Sequence, residues 1–474
     1  MAKQTRRSVL KLSGSVLGGI AVGSTAVAAE SRDQYIIETR GKRSPDDAEI
    51  VHEMPGVDLA VVRGDEQTLQ RSKAVKKFAA DTVLRLEEPE TPDTLASEES
   101  NDLPNVDTDL YDTFAWDKQA QDVKQAQTVT RGEGTRVSVI DGGVFAGHPD
   151  LSVNEELSRN FSPDTNGTGA LFDDHGTHVA GTIAASDDGS GVVGTAPGTE
   201  LVDLRVFSGG GASFGAILAA IAYAAAIDSD VANLSLGGYP IPRQGLGSFY
   251  GGALNKTMTF ANKKGTLLVI AAGNDGADLQ KDGDVISIPN EGAQGLSVAA
   301  TGPKGFLIGD GGPDDPAESP ANYTNFGTNA VDLAAPGGDL DFEALARLQA
   351  SDNDGDGDGE LTPGELFKIL GDWVLSTTFT PVGEKETADL DGDGEPDIVT
   401  AKPDEHVPGY GYKQGTSMAA PQVAGAAALV KSANPGYNAN QVESALRRAA
   451  SVPDGYDKRY YGSGFIDIVE ALSG

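Results

Sequence analysis

The chain of 474 residues contains no cysteine. That absence excludes a disulfide framework, a thiolate zinc site, a cysteine nucleophile and a lipid carried on a lipobox cysteine, so any metal site must use oxygen or histidine. Aromatic residues make up only 6 %, and 36 Lys plus Arg face 71 Asp plus Glu, for a formal net charge of −35. Binding to phosphate backbones or anionic lipid needs cations that displace counterions, so this composition argues against nucleic acid as a partner. An acidic surface over ordinary apolar content, 39 % hydrophobic, suits concentrated salt, where a Debye length of roughly 3 Å at 1 M removes most self-repulsion. The composition therefore points to a halophile. Long apolar runs are also missing: the stretch from Leu12 to Val27 is too short and too rich in glycine for a transmembrane span.

That stretch follows Thr5, Arg6, Arg7 and Lys11 and ends in Ala26-Val27-Ala28, which together read as a signal peptide over 1–28. The paired arginines point to the twin-arginine export machinery, hence to a secreted protein with no stable membrane anchor. Residues 29–88 read as a small α+β unit. QYIIETR, VDLAVVRG and TVLRLEE are expected strands, and TLQRSKAVKKFAAD is an expected helix with Leu69, Ala74, Val75, Phe78 and Ala79 on one side. Residues 89–111 lie in a stretch that turns to Pro, Asp, Glu, Ser and Thr, the composition of an exposed, cuttable linker.

Residues 112–474 alternate strand and helix signals. RVSVID, ELVDLRVF, DVANLSL, TLLVIAAGN, LSVAATG and AVDLAAP are apolar without polar alternation, as strands covered on both faces should be. SFGAILAAIAYAAAI, GGALNKTMTFANKKG, SMAAPQVAGAAALVKSA and NANQVESALRRAA carry helical spacing. The expected class is α/β, three layers with a mostly parallel central sheet flanked by helices, and its active site should lie beyond the carboxyl ends of the strands.

Asp141 ends RVSVID, His175 opens HGTHVAGTIAA, Asn274 ends AAGN, and Ser417 begins an apolar helix in GTSMAAPQVAG. Each alone reads as a turn, a packing group or a cap. Together, SVIDGGV, HGTHVAGT and GTSMAAP in that order resemble the three signature segments of the subtilisin-like serine proteases, and VANLSLGG and VIAAGND resemble two further blocks. GTSMA lacks the last glycine of a GxSxG elbow, which excludes an α/β-hydrolase.

The resemblance implies that Asp141 orients the histidine, that His175 is general base and then acid, that Ser417 attacks the scissile carbonyl, and that Asn274 donates to the oxyanion. Spacing alone does not choose between His175 and His178; the family motif uses the first. By the same resemblance Ser235, Leu236 and Gly237 form one wall of the substrate cleft, Ala271, Ala272 and Gly273 the other, and Gly209 to Ser213 an edge strand for an extended polypeptide substrate. Residues 29–88 resemble the family's propeptide, chaperone and inhibitor of its own protease, with self-cleavage expected between Glu87 and Asp112. The expected enzyme is a monomer.

One insertion, about 339–404, lengthens the chain before Ser417. Counted from Asp354, it has acids at positions 1, 3, 5, 7 and 12 (Asp354, Asp356, Asp358, Glu360, Glu365), Gly359 at 6 and Thr362 at 9, which resembles an EF-hand loop for Ca2+ between DFEALARLQAS and LFKILGD. A second loop has Asp389, Asp391, Asp393 and Asp397 at 1, 3, 5 and 9, with Thr400 where a bidentate Glu would stand. Asp150 and Asp188 match positions where many family members hold a further structural calcium.

Overall fold

The computed structural model describes residues 30–41, 45, 48–84, 89, 91–92, 95, 102–104, 108–209, 211–242, 246–281, 283–308, 315–351, 361–389 and 398–473. The expected signal peptide and the expected ligands Asp354, Asp356, Asp358, Glu360, Asp391, Asp393 and Asp397 lie outside the described residues.

The N-terminal unit comprises β1 (Glu30–Thr39), β2 (Glu49–Met54), β3 (Leu59–Arg63), α1 (Glu66–Arg71) and β4 (Val75–Leu84). Its strands pair antiparallel in the order β2-β3-β1-β4. The helix expected over TLQRSKAVKKFAAD is corrected: Asp65 caps α1 at Thr68, the helix stops before Ser72, and β4 begins at Val75. Leu69, Val75 and Phe78 share one small cluster with Ile37, Ala60 and Val62, so a helix and a strand contribute to the same apolar patch. That shared patch mimics helical spacing, and pairing with the edge of β1 overrides local propensity.

The segment expected as an exposed linker is held at two points. Leu95 is buried beside Leu110, Trp373 and Tyr410, and β5 (Asp102–Pro104) pairs with the strand that leads to Ser417. Short helices α2 (Tyr111–Phe114), α3 (Trp116–Gln119) and α4 (Val123–Ala126) then open the large domain.

In chain order that domain continues with β6 (Arg136–Asp141), β7 (Arg159–Asn160), α5 (His175–Ala184), β8 (Glu200–Arg205), β9 (Phe207–Ser208), β10 (Gly211–Ser213), α6 (Phe214–Ala226), β11 (Val231–Leu234), β12 (Gly238–Pro242), α7 (Leu246–Lys264), β13 (Leu267–Ala271), β14 (Val285–Ile288), β15 (Gly295–Thr301) and β16 (Leu333–Pro336). Seven strands form a parallel sheet ordered β16-β15-β13-β11-β6-β8-β7. Successive residues of one strand enter opposite cores: Leu267 and Val269 join the core containing Val179 and Ile183 of α5, while Leu268 and Ile270 join the core built on α6 and α7. Both faces are therefore covered, which is why the strand sequences show no polar alternation.

The C-terminal part comprises α8 (Phe342–Ser351), α9 (Pro363–Leu370), β17 (Val374–Val382), β18 (Thr387–Ala388), β19 (Ile398–Val399), β20 (Glu405–Lys413), α10 (Thr416–Ala433), α11 (Ala439–Ala449) and α12 (Ile468–Ser473). The segment read as a single insertion is in fact divided by a strand of the protein's interior. β17 pairs with β20 from Val374↔Lys413 to Val382↔Glu405 and is buried from Val374 to Phe379. Its Ser376 and Thr377 hydroxyls donate to the carbonyls of His178 and Thr177, at 2.8 Å each, clamping the hairpin to α5. The helix pair α8–α9 precedes this hairpin and the β18–β19 pair extends from its far end.

Candidate active site

Asp141 is the last residue of β6, His175 the first of α5 and Ser417 the second of α10, so all three sit beyond the carboxyl ends of the parallel strands. His175 Nδ1 lies 2.8 Å from Asp141 Oδ1, and both side chains are almost wholly buried, 2 % and 1 % exposed. The same oxygen accepts the Gly142 N–H at 2.7 Å. A hydrogen on Nδ1, held by the carboxylate, leaves Nε2 as the basic nitrogen. Gly176 makes the approach possible, because a Cβ there would stand 2.4 Å from the Gly143 carbonyl.

His178 has a different task. Its Nε2 lies 3.0 Å from the Val374 carbonyl, fastening α5 to β17. Burial, with Lys413 nearby, holds its pKa down at about 3, so it is neutral near pH 7.

Ser417 Oγ donates to the Ser235 carbonyl at 3.2 Å, and Ser235 Oγ donates to the Ser417 carbonyl at 2.7 Å. Ser235 thereby grips the first turn of α10 from β11's exit. Asn274 Oδ1 accepts both the Thr416 N–H and the Thr416 hydroxyl at 2.9 Å, which fixes the side-chain amide beside Ser417. Leu236, Gly237, Ala271, Gly273 and Asn274 line a slot with Ser417. Ala272 is turned into the interior, its carbonyl accepting from the Asn325 and Asn290 amides.

Several residues of the site were not singled out in the sequence. Tyr239, Asp275 and Ser287 line the slot as well. Asn325, fully buried, accepts the Asp275 and Ala277 N–H groups and donates to Ala272, so it shapes the loop that carries Asn274. A Cβ on Gly273, whose φ is +99°, would stand 2.4 Å from Asn325 Nδ2, so this loop needs glycine there. Lys118 is buried and donates to Gln422 at 2.6 Å and to the Thr182 carbonyl at 2.9 Å, tying α3 to α5 and α10. Nothing local in the sequence marks Asn325 or Lys118, because their partners lie far away in the chain.

Replacing Asn274 with alanine removes an amide beside Ser417. If Asn274 donates to an oxyanion as the resemblance implies, Asn274→Ala is expected to lower kcat for peptide hydrolysis roughly 10²–10³-fold, the scale that subtilisin itself provides, with KM little changed. An equal loss divided between kcat and KM in steady-state kinetics would speak against an oxyanion role.

For cations, Asp150 is 2 % exposed and its Oδ2 accepts the Tyr410 hydroxyl at 2.9 Å. Burial, with the Asp188 carboxylate adding repulsion, pushes its pKa up to about 6. Among the described residues no three acidic or histidine side chains converge as a metal cluster. A cation at Asp150 would thus find one buried carboxylate and one exposed one, Asp188. In the insertion, Thr362 caps α9 and Glu365 closes a capping box, its Oε2 accepting the Thr362 hydroxyl at 2.7 Å and the Thr362 N–H at 3.0 Å. These are positions 9 and 12 of the loop counted from Asp354, at the start of the second flanking helix. Leu345, Leu366, Ile369 and Leu370 pack this helix pair onto Trp373 and Tyr412 of the hairpin.

Residues 132–464 match the model of the subtilase family. An alkaline protease of Shouchella clausii is 26 % identical over 456 residues, which span 94 % of this chain and 93 % of that protein. Subtilisin Savinase of Lederbergia lenta is 29 % identical over 345 residues, 72 % of this chain and 91 % of the relative. Among solved structures, the epidermin leader peptide processing serine protease of Staphylococcus aureus aligns with 93 % of this chain and 98 % of its own at a TM-score of 0.63 and 21 % identity, a likeness of fold.

Proposed function

Because the chain belongs to the subtilase family and is a serine endopeptidase, we propose that Asp141, His175 and Ser417 are its catalytic triad and Asn274 its oxyanion donor. The observation that carries this reading is the 2.8 Å contact between buried Asp141 and the ring of His175, on a helix that packs against the one opened by Ser417. A carboxylate so placed steadies the imidazolium that forms when Nε2 takes the serine proton. Leu236, Gly237, Ala271 and Gly273 then receive the substrate, an extended polypeptide, while Ser235, wholly buried, holds the start of α10.

Residues 29–88 act as an inhibitory propeptide in this reading. Its support is the antiparallel pairing of β4 with β10, Leu84 opposite Ala212 and Val83 opposite Ser213, which covers the edge strand a substrate would use. Removal requires cutting within Glu87 to Asp112. The twin-arginine signal would export the folded, still inhibited protein, and the acidic surface would keep it soluble in concentrated salt. No helix among the described residues is long and apolar enough to cross a membrane.

Calcium belongs to the same reading. The loop 354–365, the loop 389–397 and the Asp150–Asp188 pair offer oxygen donors whose mutual repulsion a divalent cation would relieve. The capping box at Thr362 and Glu365 supports the first, since it sets the twelfth position at a helix start. In molar salt, chelation is expected to lower both Tm and activity, and Glu365→Gln to raise at least tenfold the calcium concentration that restores them. Tm and activity unaffected by chelation would remove calcium from the account.

The function itself is tested by labelling with a fluorophosphonate in molar salt with calcium. A single adduct on Ser417, with the N-terminal unit lost from the active protein alone, is the expected result. A folded, trimmed protein that takes no adduct would overturn the triad assignment.

A further inference from the structure

β8 reads Glu-Leu-Val-Asp-Leu-Arg, an apolar strand that carries Asp203 and Arg205 two residues apart and hence on one face. In the parallel register Arg205 stands opposite Asp141 and Asp203 opposite Val139, so Asp203 and Asp141 share that face one diagonal step apart. Both are buried, at 1 % and 0 % exposed. Asp203 Oδ2 accepts the Gly169 N–H at 2.8 Å, and the Val144 N–H also bonds this carboxylate. Asp203 Oδ1 and Asp141 Oδ2 have no hydrogen-bond partner among the described residues. Arg205 does not satisfy them, because its guanidinium is committed to Asp164 and to the Gly167 carbonyl.

The charges around Asp203 come from every neighbouring element. Asp141 faces it from β6, with His175 of α5 beyond; Arg205 lies on its own strand, with Asp164 behind, and His175 is itself acted on by the Asp173 and Asp174 carboxylates before α5. A cavity of about 300 Å³ that Asp203 helps to line also has Glu155, Lys402 and His406 in its wall. Burial, and to a smaller extent the charge of Asp141, pushes the pKa of Asp203 up to about 7 against the pull of two N–H groups and Arg205.

We propose that Asp203 is a positioning residue for peptide hydrolysis, a second buried carboxylate whose charge, acting through Asp141, sets the pH at which His175 becomes a competent base. The proposal rests on the assignment of Asp141 and His175 to the triad. An ionised Asp203 favours the protonated imidazole, so loss of the Asp203 proton makes loss of the His175 proton harder. The two groups titrate as a coupled pair, and the acid limb of the rate profile is spread over more than a one-proton transition. A neutral residue of the same shape removes the coupling.

The experiment is the pH dependence of kcat/KM for wild type and Asp203→Asn in molar salt, with Tm recorded for both. The variant is expected to show a one-proton acid limb displaced to lower pH by about half a unit. A merely structural role would lower Tm or scale the whole profile without moving that limb. Limbs that coincide in position and slope would overturn the proposal. Should Asp203→Asn fail to fold, the ring of His175 is followed by NMR in the full chain carrying Ser417→Ala. A two-step titration that persists with Asp173→Asn added supports the coupling, and a single one-proton step refutes it. This second measurement needs no turnover, so an enzyme that proves inactive would sink the triad assignment while leaving the coupling decided separately.

Discussion

Ser417→Ala is expected to lower kcat for peptide hydrolysis on the order of 10⁶-fold, His175→Ala to cost about as much, and the double variant to be no worse than either, the scale and pattern that subtilisin itself sets. The physical reason is that, in the proposed triad, the two side chains perform one step. A serine hydroxyl is a poor nucleophile until an imidazole takes its proton, and an imidazole with no hydroxyl to activate contributes nothing to that step. What remains after either loss is the binding slot and the amide of Asn274, which is held by its two contacts to Thr416 whether or not Ser417 keeps its hydroxyl. Ser417→Ala should fold, since the Ser235 hydroxyl still donates to the backbone carbonyl of residue 417. Active-site titration beside far-UV CD checks the claim. The Ser417→Ala protein, purified away from other proteases, should also keep its N-terminal unit, and trimming at the normal place would show that another enzyme performs the maturation. Additive losses in the double variant would mean that His175 and Ser417 act in different steps.

Asp141, His175, Asn274 and Ser417 were legible as candidates because their segments resemble, in order, those of the subtilisin-like serine proteases, and the structure sets Asp141 against His175 and Asn274 beside Thr416 and Ser417. The parallel sheet was legible for a related reason: strands covered on both faces lose their polar alternation, as Leu267 to Ile270 do by feeding two cores in turn. The helix read over residues 68–81 failed because Leu69, Val75 and Phe78 reach one patch from different elements. Leu95 in an otherwise polar segment could have been a warning that the linker was anchored. The division of the insertion by β17 was hidden, since VLSTTF gives no sign that its serine and threonine hydroxyls clamp the helix of His175. Asn325 and Lys118 act through partners distant in the chain and leave no local pattern. Asp203 and Arg205 did leave one: two charges inside ELVDLRVF, a strand otherwise fit for burial on both sides.

Arg205→Met is the change expected to damage the fold most. Arg205 is wholly buried and Asp164 is 2 % exposed, and the pair is bidentate with both N···O distances at 2.7 Å. Burial alone would push the Asp164 carboxyl up, but Arg205, the Ser208 hydroxyl and the Asn166 N–H outweigh it and hold the pKa at about 2. Removing the guanidinium leaves a carboxylate inside the protein without its counter-charge, at a cost of about 3–5 kcal/mol, a large share of the roughly 5–15 kcal/mol that holds a domain folded. The loss should be the same in moderate and in molar salt, because ions do not screen a pair that water does not reach. Its pH dependence has a definite sign. In wild type the depressed pKa gives stability that is present above the unfolded value, about 3.9, and is lost as pH falls through it toward 2. In Arg205→Met the carboxyl takes up a proton at a higher pH and the penalty shrinks, so the Tm gap to wild type should narrow under mild acid. Arg205→Met with Asp164→Leu removes both charges and should recover part of the loss. Scans on the Ser417→Ala background, which prevents autolysis during heating, read all three. A double variant no more stable than Arg205→Met would assign the loss to the guanidinium's bonds with the Gly167 carbonyl and not to the stranded charge.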